Sequence, residues 1–314
     1  MTHGNPGQKT EGEKMADMEK PRIGMNALDR LNAQTLSEAV QTVQDYGFDC
    51  MELTISALPL LIEGEICMPV LRHTKAVLER YDLTYTAHIG TGLNLRSRPD
   101  FALHRRVLLA SIDVCAALGI DRLTLHFEQA SRIQEEEEQF FQAHAEAAAY
   151  AEERGVLLLI ENIEIEAYQK VIDLVRRVNR ENFKMTLDTG HLYLSTRYFG
   201  GDYLQAVRDC APYVRHVHLN DNTGRFEPMR LTDFARYKML GMNMRTAFGA
   251  GDIHLPPLWG RVPLAETVEI LHESGYQGVF LCEYDNMSYL PFGREIQQGV
   301  RSLVNAIYTA PEPV

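Results

Sequence analysis

Four residues of this 314-residue chain have side chains suited to holding a divalent cation: Glu161, Asp188, His218 and Glu283. Each stands at or near the end of a short apolar run, at 156–161, 183–188, 214–218 and 279–283. Runs of that length and composition read as buried β-strands. Three carboxylates and one imidazole form a hard-to-borderline donor set for a divalent metal. A lone carboxylate at the end of an apolar strand is costly to bury, so it is paired, protonated or metal-bound. A salt bridge would explain any one of the four. Four on four different strands point to one shared site.

The elements that must position these residues alternate along the chain. Strand-like segments fall at Arg22–Met25, Cys50–Leu53, Thr84–His88, Arg122–Phe127, Leu157–Glu161, Lys184–Asp188, Val214–Leu219 and Gly278–Glu283. Helix-period segments lie near 35–46, 68–81, 100–118, 134–154, 166–179, 202–210, 264–274 and 292–308. Gly47, Gly119, Gly155 and Gly275 follow helix ends, where a left-handed residue closes the last turn. Repeated strand–helix units with apolar strands predict an α/β fold, a parallel (β/α)8 barrel of TIM type. About 250 residues suffice for one such domain, which puts residues 21–314 in a single domain. An open doubly wound sheet is the alternative, weakened because no G-x-G-x-x-G follows the first strand. A barrel gathers its chemistry at the strand C-termini, where all four residues stand. Side chains two apart share a face. His216 therefore faces with His218, His126 with Glu128, and Leu157, Leu159, Lys184, Thr186 and Leu281 should line the axis.

Composition narrows the function. The net charge of −12 repels phosphate backbones, and no Lys/Arg block appears, so nucleic acid is not the expected partner. No run is long enough to span a bilayer. Five scattered cysteines without C-x-x-C read as reduced thiols of a cytoplasmic protein. Residues 1–20 lack Val, Ile, Leu and aromatics and read as a disordered leader. The run Glu135–Glu138 follows a Ser131-x-x-Gln134 capping box and needs no further role. Arg96 and Arg98 follow the third strand, where they would hold an anion or simply be solvated.

The segment 219–262 breaks the rhythm. It runs for about 40 residues between the seventh strand and the next clear helix, a length usually functional or disordered. Its aromatics, methionines and arginines are too apolar for disorder, so it reads as a lid over the barrel mouth or an interface in a homo-oligomer. A packed insertion without function is the plainer reading. Trp259 is its candidate substrate contact.

The motifs Ile160-Glu161-Asn162, Leu187-Asp188-Thr189-Gly190-His191, His216-Val217-His218-Leu219-Asn220-Asp221 and Leu281-Cys282-Glu283-Tyr284 resemble the xylose-isomerase-like barrel superfamily. It includes sugar and sugar-phosphate isomerases and epimerases, inosose dehydratases and endonuclease IV. Gly249-Ala250-Gly251-Asp252-Ile253 resembles its G-x-G-D-I stretch, and the likeness covers about 22–308. By that resemblance Glu161, Asp188, His218 and Glu283 match a single-metal quartet, with His218 rather than His216 as the ligand. His191 matches a substrate-contacting histidine. His88 and His126 match two histidines that bind a further zinc in endonuclease IV and line the pocket in isomerases, and pocket lining is the preferred assignment. Glu52 matches a second-strand acidic residue that would bind a sugar hydroxyl, or else form a rim salt bridge. Asp252-x-His254 follows the glycines instead of preceding them, which with the acidic charge speaks against the nuclease.

The resemblance implies one divalent ion, Mn²⁺ favoured, with Mg²⁺, Co²⁺ or Zn²⁺ possible. The expected substrate is a small carbohydrate-like molecule, and the expected reaction is isomerisation or epimerisation by enediolate proton transfer between Glu161 and Glu283. Three alternatives stay open. The same carbanion would serve a lyase or dehydratase acting on an oxidised sugar or glycoside. An endonuclease IV-like hydrolase and a non-catalytic partner-binding barrel fit less well.

Overall fold

The computed structural model describes residues 21–27 and 31–309. The leader expected at 1–20 lies outside the described residues. Eight parallel strands close into a barrel: β1 (Arg22–Asn26), β2 (Cys50–Thr54), β3 (Thr84–His88), β4 (Arg122–His126), β5 (Leu157–Glu161), β6 (Phe183–Asp188), β7 (Val214–Leu219) and β8 (Val279–Cys282). Each pairs with its successor, and β8 pairs with β1. Parallel neighbours require long crossovers, and the amphipathic helices of the sequence supply them. Gly119 ends the helix Phe101–Leu118 with φ 74°, and its N–H donates to the Ala116 and Cys115 carbonyls. The same conformation recurs at Gly47, Gly155 and Gly275.

The barrel interior changes from apolar to polar along its axis. Near the strand N-termini, Cys50, Val279 and Leu281 form a small apolar cluster. A Cβ on Gly24 would meet Leu281 Cδ1 at 2.7 Å, so a side chain there would require Leu281 to shift. Higher up, Thr124 and Thr186 share a 2.8 Å hydroxyl contact, and Glu52, Thr86 and His216 are buried. The outward faces of the strands join the helices in one large core that includes Ile23, Met25, Leu158 and Ile160.

Register brings the ligand ends level. His126 stands opposite Glu161, and Asp188 stands opposite His218. Between β6 and β7 the register shifts at Met185/Thr186, leaving Arg215 as the extra residue. Such a bulge re-aims the side chains beyond it, and here it sets Thr186 against His216 and Asp188 against His218.

One helix was missed and two local expectations are corrected. A helix at Thr189–Phe199 was not legible, because its first turn is Thr-Gly-His and its body is rich in aromatic and β-branched residues. The segment 219–262 is not one loop but holds short helices at Met229–Thr232, Phe234–Met239 and Met242–Phe248. The capping box does not form: the helix Gln134–Glu152 has no side-chain cap, and Ser131 Oγ donates to Glu136 and accepts from the Ile133 N–H. Among the described residues, no helix is long and apolar enough to cross a membrane.

Candidate metal centre

Glu161 ends β5, Asp188 ends β6, His218 lies near the end of β7, and Glu283 follows β8. One ligand atom from each lies within 4.8 Å of the others. His218 Nδ1 is 3.0 Å from Glu283 Oε2 and 3.4 Å from Glu161 Oε1. All three atoms are buried without a hydrogen-bond partner. Buried polar atoms almost always find one, and a cation among these three would supply it. This donor set fits the divalent ion expected from the sequence.

The protein around the quartet fixes each ligand. Asp188 accepts from the His191 N–H at 2.6 Å as the cap of the next helix, and from Asn220 Nδ2 at 2.5 Å. Asn162 exchanges hydrogen bonds with the Asp188 backbone at 2.9 and 3.0 Å. Gly190 makes this packing possible, since a Cβ there would overlap Asn220 Oδ1. Burial pushes the Asp188 carboxyl up to about 7. Burial also works to raise Glu161, but His218, His126 and His88 overcome it and hold that carboxyl well below its ordinary range.

Glu52 is not a rim salt bridge. It is buried beneath the quartet, within 3.2 Å of His216 Nε2 and 3.2 Å of His218 Nε2, and it accepts from Thr86 Oγ1 at 3.2 Å. A neutral His218 that donates through Nε2 keeps its Nδ1 lone pair for the quartet.

His88 and His126 flank Glu161, with Nε2 atoms 3.0 and 3.6 Å from its Oε2. Gly90 N–H donates to His88 Nδ1 at 2.7 Å. A neutral imidazole has one acceptor nitrogen, so His88 carries its proton on Nε2 and donates it to Glu161. This favours the pocket-lining role over ligation for His88. Burial drives the His126 pKa down to about 4, which leaves it neutral.

His191 meets Asp252 and His254 in a further group able to hold an ion. Its Nδ1 donates to the Asn162 carbonyl at 3.0 Å, and its Nε2 faces Asp252 Oδ2 at 3.4 Å. His254 Nε2 lies 3.0 Å from the same oxygen. The position of Asp252-x-His254 after the glycines is therefore no argument against such a group. Leu255 pairs with Asp221 and returns the chain over the barrel.

Above these residues opens a cleft of about 1300 Å³. His88, His126, His191 and Glu283 lie on its floor, and Arg230, Phe234, Tyr237 and Arg245 of the long segment form one wall. Trp259 lies outside the lining, packed edge-on against Tyr289 at 5.7 Å and Phe292 at 5.5 Å. Arg96 is held by Glu137 at 2.5 and 2.9 Å and stacks over Phe140, while Arg98 pairs with Glu135 and Glu136. Asn162 and Asn220 carry no assignment from the sequence, although both stand inside the quoted motifs, one residue after Glu161 and two after His218.

A family model described as xylose isomerase-like TIM barrel matches residues 40–306. The D-psicose 3-epimerase of Ruminiclostridium cellulolyticum is 24% identical over 262 residues, covering 78% of this chain and 76% of that protein. The crystal structure of a xylose isomerase domain protein from Planctomyces limnophilus superposes with TM-score 0.70 at 16% identity, over 93% of this chain and 100% of that one. A xylose isomerase-like TIM barrel protein from Mycobacterium smegmatis in complex with magnesium gives TM-score 0.67 at 16% identity, over 91% and 97%. The closed barrel, its strand-end cluster and the family match over most of the chain lead to one assignment: this chain belongs to the xylose isomerase-like TIM barrel family.

Proposed function

We propose that this protein is a divalent-metal-dependent isomerase or epimerase of a sugar, keto-sugar or related polyol. The observation that carries the reading is the quartet Glu161, Asp188, His218 and Glu283, whose inward atoms are buried and lack partners. The relative named as a D-psicose 3-epimerase supports the substrate class. A divalent ion held here would polarise a substrate carbonyl and the hydroxyl beside it, acidifying the neighbouring C–H.

The protein's own groups do the rest. Glu161 and Glu283 reach the site from β5 and from the end of β8. One carboxylate takes the proton from carbon and the other returns it, to the opposite face or to the adjacent carbon. The residues around Glu161 keep it ionised, as a base must be, and His88 orients it through the Nε2 hydrogen bond. Arg230, Phe234, Tyr237 and Arg245 of the long segment stand over the floor as one wall of the cleft.

The test is conversion of a keto-sugar panel in D₂O by metal-loaded protein, followed by NMR. Deuterium bound to carbon beside the carbonyl is expected. Loss of a substituent with that deuterium would mark the lyase alternative. Conversion with no label at any substrate would point to hydride shift or hydrolysis and remove the two-glutamate reading.

A further inference from the structure

The reading of the floor as a sugar site leaves most of the cleft unused. At about 1300 Å³ the cleft exceeds the roughly 300–1,000 Å³ of sites that enclose drug-sized ligands. A single sugar ring is smaller than such ligands. The floor is polar and ionisable, and the lining also includes the apolar side chains of Ile163, Ile165, Leu231, Phe234, Leu240 and Met242. Four of these six come from the segment 219–262.

The arginines at the mouth are engaged by the protein, and Lys238 is the exposed cation beside them. Arg230 Nε donates to Glu164 at 2.8 Å, and Arg245 donates to the Tyr237 hydroxyl and the Asp252 carbonyl. Arg96 is held by Glu137. This is a poor receptor for a phosphate, which needs cations free to form several charge-assisted bonds. The wall is better suited to rings. Phe234 is 44% exposed, and its ring lies nearly parallel to Tyr237, at 18° with 6.2 Å between centroids. The Arg230 guanidinium sits 4.7 Å and the Lys238 ammonium 4.6 Å from the Phe234 centroid. Cations beside an apolar surface attract the faces of further aromatic rings. They give no such gain to a saturated group.

We propose that the site takes a sugar carrying an aromatic aglycone, the sugar on the ionisable floor and the aryl group against Leu231, Phe234, Leu240 and Met242. This rests on the reading of the floor as a sugar site, but it is tested by binding and not by turnover.

The experiment is calorimetric titration of the metal-loaded full chain with phenyl, cyclohexyl and methyl β-D-glucopyranoside. The phenyl glycoside should bind at least ten-fold more tightly than the methyl one, and more tightly than the cyclohexyl one. Phe234→Ala should shrink the phenyl-to-methyl ratio to within two-fold. Phe234 is exposed enough that its loss should leave the fold intact, which circular dichroism would verify. Equal affinity for phenyl and methyl, equal affinity for phenyl and cyclohexyl, no binding of the phenyl glycoside, or an unchanged ratio in Phe234→Ala would each overturn the proposal. A protein that shows the phenyl preference yet labels no sugar in D₂O would keep this inference and lose the isomerase reading.

Discussion

Glu52 holds His218 from below, one carboxylate oxygen 3.2 Å from Nε2, so that Nδ1 is turned toward Glu161 and Glu283. The same carboxylate lies 3.2 Å from His216 Nε2. Two histidines two residues apart on one strand face thus share one acceptor, and only the upper one reaches the quartet. A carboxylate behind a ligating histidine fixes its tautomer, and such partners typically contribute ~10–100-fold to metal affinity.

Glu52→Gln should therefore weaken Mn²⁺ binding by about 10-fold or more, because an amide can accept through one oxygen only. Competition with a fluorescent chelator measures this directly. An affinity equal to wild type would show that His218 is oriented by its packing and not by Glu52.

Gly190→Ala tests the other side of the site. Its Cβ would overlap Asn220 Oδ1. Asn220 would have to turn, and Asp188 Oδ2 would lose its 2.5 Å donor. The expected outcome is metal affinity lower by about 10-fold, together with a lower melting temperature. Asn220→Ala should reproduce the affinity loss without the steric clash. If Asn220→Ala binds metal as tightly as wild type, Asn220 does not position Asp188.

How much of this was legible in the sequence depends on the range of each interaction. The strands and the four candidate ligands stand in contiguous motifs, where local patterning and spacing are legible. Glu52 and His218 come from β2 and β7, and Asp252 and His254 reach His191 only because Leu255 pairs with Asp221. Those relationships depend on barrel closure and register, which no local pattern encodes. The position of Trp259 outside the cleft lining was hidden for a different reason: aromatic content marks apolar packing but not which face a residue packs on.

Glu128 provides a prediction about stability. It accepts from the Leu95 N–H at 3.0 Å, but its Oε2 is buried without a partner. Burial pushes its carboxyl up to about 7 from the usual 4.5. The folded state then holds its proton at pH values where the unfolded state has lost it. This contribution favours folding at pH below the unfolded value, declines as pH rises from about 4.5 to about 7, and stays unfavourable above that. Glu128→Gln keeps an acceptor for Leu95 and removes the charge. It should stabilise the protein at pH 8 by on the order of 2–3 kcal/mol, with little effect at pH 4.5. Denaturant melts at the two pH values test this, and an equal effect at both would contradict it.

The central claim is that Glu161, Asp188, His218 and Glu283 together hold one divalent ion. Elemental analysis of protein dialysed against Mn²⁺ and then against buffer measures it most directly, with folding followed by circular dichroism. Wild type should retain close to one ion per chain, Glu161→Gln and Asp188→Asn should retain much less while folded, and the double variant Asp188→Asn/His218→Ala should retain none. Full occupancy in the folded double variant would contradict the account.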